Sequence, residues 1–246
     1  AFCDLKGRVI ADFLALAVNP EHILLRTDRS LVPVLMAHTQ KYLMFTKADL
    51  TPLDWMITGV WGEAASTLPG HRDGSIADVC AYETGNDAGF VIYHSSTMAE
   101  VWSATVQPAN SQEDQWRGLR IAVGEARVTA ATSGKYLPQD LNYDLRKWVS
   151  FDKGCYMGQE IIARLHWRGT PKRRLYVASA ATGNCPEPGT TLTLQGSDSA
   201  LGSVVNACRW REGALLAIET TEDGIDRGLQ LPDGTPIASV DESLLR

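Results

Sequence analysis

The sequence predicts an α+β fold of antiparallel sheets and helices, followed by a small C-terminal β-barrel. Three observations carry this. Up to about residue 170, short strand-like runs alternate with amphipathic helical runs, in pieces too short and irregular for the repeated crossovers of a parallel sheet. From Arg174 onward the helical period is lost, and strand-like runs recur between Gly, Pro, Asn and Asp. Gly169 and Pro171 stop the last helical run, which sets a boundary between residues 1–170 and residues 171–246. A chain of 246 residues is long enough to bury a large core.

Taken in order, Phe2–Leu5 and Val9–Leu16 read as strands joined by a tight turn at Lys6-Gly7-Arg8, and Ile23–Arg26 as a third strand. Asp28 or Ser30 caps a helix running to about Phe45, with Pro33 tolerated in its first turn. Leu53–Thr58 is strand-like, and Gly59–Leu68 reads as a short helix ended by Pro69-Gly70. A strand near Ile76–Tyr82, a polar turn at 83–89 and a strand at Phe90–His94 follow. Ser95 or Ser96 caps a helix over 97–106, and beyond Pro108 Ser111 caps another, with Glu113 and Asp114 in its first turn and Trp116, Leu119, Ile121 and Val123 along it. In the last third, Leu175–Ala180, Thr190–Leu194, Gly202–Val205 and Leu215–Glu219 are the barrel strands.

Composition excludes some classes. No run approaches the ~18 consecutive apolar residues of a membrane helix. The net charge of −6 argues against a protein that coats nucleic acid. Charge is uneven, however: over 151–176 six basic residues face only Asp152 and Glu160, whereas over 209–246 four arginines face eight acids. Five cysteines, at 3, 80, 155, 185 and 208, form no C-x-x-C pair and no zinc spacing, so reduced thiols in a cytoplasmic compartment are expected and no metal site is assigned. They are also too dispersed to hold an iron–sulfur cluster unaided.

The stretch from Lys153 to Gly169 concentrates the chemistry. Gly154 and Gly158 bracket Cys155, and each permits positive φ or close backbone approach. Ile161, Ile162 and Leu165 define the core face of a helix beginning at Gly158, and Glu160 and Arg164 are spaced for an i,i+4 pair worth about 0.3–0.5 kcal/mol. Cys155 is thus expected in a loop just before a helix N-terminus, with Lys153, Arg164 and Arg168 near in sequence, a setting that favours the thiolate. Gln159 and Glu160 orient the loop or cap the helix. Arg164, Arg168, Lys172, Arg173 and Arg174 form a basic rim suited to an anion. No Ser/His/Asp pattern, metal triad or phosphate loop is present, so a conventional enzyme is not indicated.

The run Lys153-Gly154-Cys155-Tyr156-Met157-Gly158-Gln159-Glu160, with Ala163-Arg164 and Arg168-Gly169 after it, resembles the signature of the YgfZ family of folate-binding proteins, in the wider superfamily of the glycine-cleavage T-protein. Trp116, Gly124, Ser133-Gly134 and Pro138-Gln139 fit the same family, as do Cys3-Asp4-Leu5-Lys6-Gly7-Arg8, Lys41-Tyr42 and Phe45-Thr46-Lys47. Many relatives have Glu at the position of Ala122 and Pro at that of Ala126. The resemblance implies a folate-binding region over 1–170 built of two interleaved subdomains, with a further N-terminal part before Ala1. It implies a tetrahydrofolate cofactor, with Trp116, Tyr156, Arg164 and Arg168 as cofactor-binding residues and Cys155 as a functional thiol. The signature residues are Lys153, Gly154, Cys155, Gly158, Gln159 and Glu160. A pterin ring stacked on the Trp116 indole gains about 0.5–1.5 kcal/mol beyond area burial.

The function so implied is a monomeric accessory protein that supports assembly or repair of iron–sulfur clusters in client proteins, including tRNA-modifying enzymes. Neither direct nucleic-acid binding nor a membrane is involved. The alternative is a folate-dependent aminomethyltransferase, which needs a polar group beside the reacting folate nitrogens.

Overall fold

The computed structural model describes residues 1–72, 75–76, 79–84, 87–105 and 110–240. Its contacts divide the chain into one unit of Ala1–Asp49 with Arg117–Arg246 and a second of Leu50–Trp116. The barrel segment therefore shares a unit with the N-terminal segment and with the signature loop.

The first unit opens with β1 (Phe2–Cys3) and β2 (Val9–Ala11), an antiparallel pair around the Asp4–Arg8 turn. The long strand expected from Val9 to Leu16 is broken at Asp12-Phe13, and its second half is β3 (Leu14–Asn19), paired with β4 (His22–Arg26). The reason is Asp12, whose buried carboxylate accepts from Tyr143 Oη and from the Val128 amide at 3.1 Å instead of pointing to solvent from a strand face. Asp28 caps a 3-10 turn by accepting from the Ser30 amide at 2.9 Å, and α1 (Val32–Leu43) follows with proline in its first turn.

The second unit is a four-stranded antiparallel sheet. β5 (Met56–Trp61) leads into α2 (Glu63–Ser66), so the helix expected over Gly59–Leu68 shrinks to one turn and Gly59–Trp61 is strand. Short pairing strands β6 (His71–Arg72) and β7 (Ser75–Ile76) precede β8 (Val79–Thr84), β9 (Asp87–Ser95) and β10 (Met98–Ser103), ordered β5-β10-β9-β8 in the sheet. The centre of the turn expected at 83–89, residues 85–86, lies outside the described residues. Residues 98–103 are a strand, where a helix was expected over 97–106; residue 106 also lies outside the described residues. β10 is hydrogen-bonded on both edges, to β5 and β9. Ala99 and Val101 join the core with Val91 and Tyr93, while Glu100 and Trp102 are buried too, so the strand carries no apolar/polar alternation to betray it. Pro108 is likewise outside the described residues, and α3 (Glu113–Ala122) follows as expected.

Back in the first unit, α4 (Gln159–Arg168) is flanked by Gly158 and Gly169, as the spacing predicts. Ile162 is fully buried, but Ile161 is 40% exposed and does not belong to the core face assigned to it. The closed barrel consists of β11 (Arg174–Ala180), β12 (Thr191–Leu194), β13 (Ala200–Trp210), β14 (Gly213–Thr220), β15 (Leu229–Gln230) and β16 (Pro236–Ser239), in the order β11-β14-β13-β12-β15-β16. A helix, α5 (Glu222–Arg227), interrupts the segment read as all strand; the Thr221 hydroxyl caps it at 3.1 Å from the Gly224 amide. Ala178, Leu192, Val204, Leu216 and Ile218 fill the barrel core, each large side chain contributing about 1.5–3 kcal/mol. β14 is buried on both faces: Leu216 and Ile218 belong to that core, and Leu215, Ala217 and Glu219, of the opposite parity, are buried as well.

Candidate functional site

Three stretches far apart in sequence, Asp4–Arg8, Ser133–Asp140 and Lys153–Arg168, meet in the first unit. Asp4 folds its own turn, its carboxylate accepting from the Lys6 amide at 2.9 Å and the Arg8 amide at 2.8 Å. At the apex Gly7 has φ +75°, and it faces Gly158, with φ +79°. A Cβ on Gly158 would stand 2.4 Å from the Asp4 carbonyl oxygen and 2.6 Å from Gly7 Cα, so two backbones touch there and only glycine fits. Gly154 differs, since nothing lies within 4 Å of a Cβ placed there. Of the two glycines flanking Cys155, only Gly158 is structurally required.

Ser133–Asp140 joins the other two. The Val9 amide donates to the Tyr136 carbonyl at 2.8 Å, the Gly134 amide to the Val9 carbonyl at 2.8 Å, and the Ser133 hydroxyl to the Ile10 carbonyl at 2.7 Å. Pro138 begins a 3-10 turn over Pro138–Leu141 in which Asp140 caps the Leu137 amide at 2.8 Å. Gln139 is fully buried and its side-chain amide donates to the Ile162 carbonyl at 2.8 Å, tying this turn to α4. Arg174 closes the cluster from β11, donating to the Gln139 carbonyl at 3.0 Å and to Asp144 at 2.7 Å.

Cys155 is exposed on this framework as a free thiol. The loop around it is held without the sulfur: the Gln159 side-chain oxygen accepts from the Tyr156 amide at 3.1 Å, and the Gln159 amide donates to the Tyr156 carbonyl at 3.2 Å. Gln159 thus orients the loop, while Glu160 is exposed in the first turn of α4. Lys153 places its ammonium 4.4 Å from the Tyr156 ring centroid. Burial pushes the Tyr156 phenol up, and Cys3 nearby does the same. The Cys3 thiol is itself raised by burial.

The basic run is not uniform. Arg164, Arg168 and Lys172 are exposed, and Trp167 beside them is 68% exposed. His166 stacks on Phe151 at 3.7 Å between ring centroids. Arg173 and Arg174 instead face inward to carboxylates, Arg173 donating to Glu219 at 3.1 Å. Both are held in ion pairs, so of the five residues expected to form a basic rim only Arg164, Arg168 and Lys172 are exposed.

Trp116 stands in the second unit. A Cβ on Gly59 would lie 2.2 Å from its indole, so the ring rests flat on the β5 backbone, with Trp61 and His94 at 6.0 and 6.3 Å. Beneath them Glu100 is fully buried, accepting from the Trp102 indole at 3.0 Å, with His94 at 3.5 Å. Half-buried Trp116 therefore offers part of an aromatic surface of three rings. Among the described residues, no group of three or more His, Cys, Asp or Glu side chains is arranged to hold a metal ion. No helix among the described residues is long and apolar enough to cross a membrane.

No protein-family model matches the chain. A tRNA-modifying protein YgfZ from Serratia proteamaculans is 29% identical over 247 residues, covering 93% of this chain and 74% of that protein. A second protein of that name, from Klebsiella pneumoniae, is 28% identical over 234 residues, covering 88% of this chain and 71% of its own length. The chain is homologous to the YgfZ proteins. An uncharacterized protein from Haemophilus influenzae is 28% identical over 228 residues, covering 92% of this chain and 71% of its own. Among solved structures, the glycine cleavage system aminomethyltransferase T from Bartonella henselae aligns with a TM-score of 0.62 at 13% identity, over 97% of this chain and 72% of that one. The chain therefore shares its fold with that aminomethyltransferase.

Several buried groups of the YgfZ homologue carry no sequence signal. Glu125 is held between Arg120 and Arg127, the latter at 2.7 Å, and Arg146 donates to the Gly124 carbonyl at 3.0 Å. Arg127 and Arg146 both lie over the Trp148 ring, at 5.1 and 5.5 Å. Burial raises the Asp12 carboxyl, against the pull of Arg127, and raises the Tyr143 phenol as well.

Proposed function

We propose that this YgfZ homologue is a tetrahydrofolate-binding accessory protein that supports assembly or repair of iron–sulfur clusters in client enzymes, those that modify tRNA among them. The observation that carries the reading is the presentation of Cys155. A free thiol stands exposed on a loop fixed by the Gly7–Gly158 backbone contact and by Gln159, so its sulfur is spare for chemistry. The names of two relatives supply the link to tRNA modification, and the T-protein fold supplies the link to folate.

The Trp116 surface of the second unit suits a flat pterin or aminobenzoyl ring. Within the first unit, the exposed Arg164 and Arg168 suit an anionic group in their own right. Bound folate would supply one-carbon or redox chemistry. Cys155 would serve as a thiol for exchange or as a transient ligand to iron in transit to the client.

The test uses the full-length protein. Cys155→Ser is expected to melt with the parent and to fail in cells at maintaining an iron–sulfur tRNA-modifying enzyme under oxidative stress. Trp116→Ala is expected to weaken tetrahydrofolate binding by more than its loss of stability accounts for. A fully active Cys155→Ser protein would sink the thiol role. Unchanged folate affinity in the Trp116 variant would sink the stacking role.

A further inference from the structure

A cleft of about 380 Å³ opens in the first unit, apart from Cys155, where β13 and β14 meet the Asp4–Arg8 turn and the segment 135–140. Its volume lies at the small end of the range for metabolite sites. Arg8, Lys135 and Arg173 line it together with two acids, Asp140 and Glu219. The acids are almost wholly buried, at 9% and 5% exposure, and Tyr136 and Ser203 share a hydroxyl contact of 2.8 Å beside them.

The cations have donors to spare. Arg8 spends Nη1 on the Lys135 carbonyl, and its Nε and Nη2 make no hydrogen bond among the described residues, although its charge acts on Asp140 and Glu219. Arg173 spends Nη1 on Glu219 and on the Leu201 carbonyl at 3.1 Å, which leaves its other nitrogens likewise. The Lys135 ammonium has no hydrogen-bond or ion-pair partner among the described residues; a Cβ on Gly189 would lie 2.8 Å from it. Three cations over two acids leave an excess of positive charge at the mouth, above hydrogen-bond acceptors at depth. An anionic group on Arg8 and Lys135 would gain charge-assisted hydrogen bonds, and sugar hydroxyls suit Asp140, Glu219 and Ser203.

We propose that this cleft binds a small hydroxylated anion, a sugar phosphate or a sugar acid, with the anionic group on Arg8 and Lys135 and hydroxyls on Asp140, Glu219 and Ser203. Neither the folate reading nor the Cys155 loop requires this site. Burial holds the Asp140 carboxyl up at about 6, so near neutral pH it is chiefly ionised and accepts from a ligand hydroxyl.

Titration calorimetry with the full chain tests it, using D-ribose 5-phosphate, D-gluconate, D-ribose and inorganic phosphate as probes. Saturable binding of the sugar phosphate or the sugar acid, tighter than ribose and tighter than inorganic phosphate, is expected, and the stronger of the two names the anionic group. Lys135→Gln, an exposed change that removes no internal hydrogen bond, should weaken that binding about ten-fold or more with an unchanged melting temperature. Arg8→Gln should weaken it likewise, and folate binding and Cys155 function should be unaffected by Lys135→Gln. The idea is overturned if neither anion saturates, if ribose or inorganic phosphate binds as well, or if Lys135→Gln binds as tightly as the parent.

Discussion

Replacing Gly158 with Ala tests whether the signature loop is fixed by backbone contact. The residue sits at φ +79°, where an L side chain costs about 1–2 kcal/mol. The added Cβ would also stand 2.4 Å from the Asp4 carbonyl oxygen, 2.6 Å from Gly7 Cα and 2.7 Å from Gly7 N. All three are backbone atoms of a turn already fixed by the Asp4 carboxylate, so no rotamer change relieves the overlap, and overpacking adds about 1–3 kcal/mol. Together the loss is about 3 kcal/mol, which for a chain of this size lowers the melting temperature by about 6–12 °C. Gly154→Ala is the matched control: its Cβ meets nothing within 4 Å, so its effect should stay within about 0.5 kcal/mol. Urea unfolding followed by circular dichroism measures both. If Gly158→Ala and Gly154→Ala unfold within 1 kcal/mol of each other, the contact does not hold the loop.

The buried charges give two further predictions. Asp140, raised from 3.8 to about 6 chiefly by burial and by Glu219, against Arg8, Arg173 and the Leu137 amide, holds its proton more tightly folded than unfolded. Its contribution is therefore full below pH 3.8 and is lost as pH rises to about 6, some ~3 kcal/mol in all, so Asp140→Asn, which keeps an oxygen for the Leu137 amide, should flatten that part of a stability–pH profile. A profile as steep as the parent's over pH 4–6 would contradict this. Glu125→Ala leaves Arg120 and Arg127 without their shared buried carboxylate and should cost about 3–5 kcal/mol by urea unfolding, far more than Arg168→Ala on the exposed face of α4.

Much of this was legible from local pattern. The helix after Gly158, the capped helix after Asp28 and four of the six barrel strands announce themselves by periodicity and punctuation, whereas β15 and β16 lie outside the runs expected. Met98–Ser103 did not, because a central strand buried on both faces shows no alternation, and its Ser95-Ser96 prefix mimics a helix cap. α5 was missed because six residues are too few to show a period. At the site, Cys155 and its glycines stand out in sequence, yet the different roles of Gly154 and Gly158 depend on Asp4 and Gly7, which are remote in the chain. The basic run misled for the same reason: what separates Arg173 and Arg174 from Arg164 and Arg168 is a pair of distant carboxylates, Glu219 and Asp144.

The touching glycines also bear on the order of assembly. Gly7 and Gly158 close a loop of about 150 residues, which carries an entropic cost of about 4 kcal/mol if nothing inside it is yet ordered. The whole second unit, Leu50–Trp116, lies within that loop and can shorten it by folding first. A nascent chain emerging from the ribosome holds its Asp4–Arg8 hairpin without a counterpart until the signature segment follows. Formation of the Cys155 loop is therefore a late event in folding, and a slow one by contact order. Truncated or stalled products would display the cysteine without the geometry that surrounds it in the finished protein.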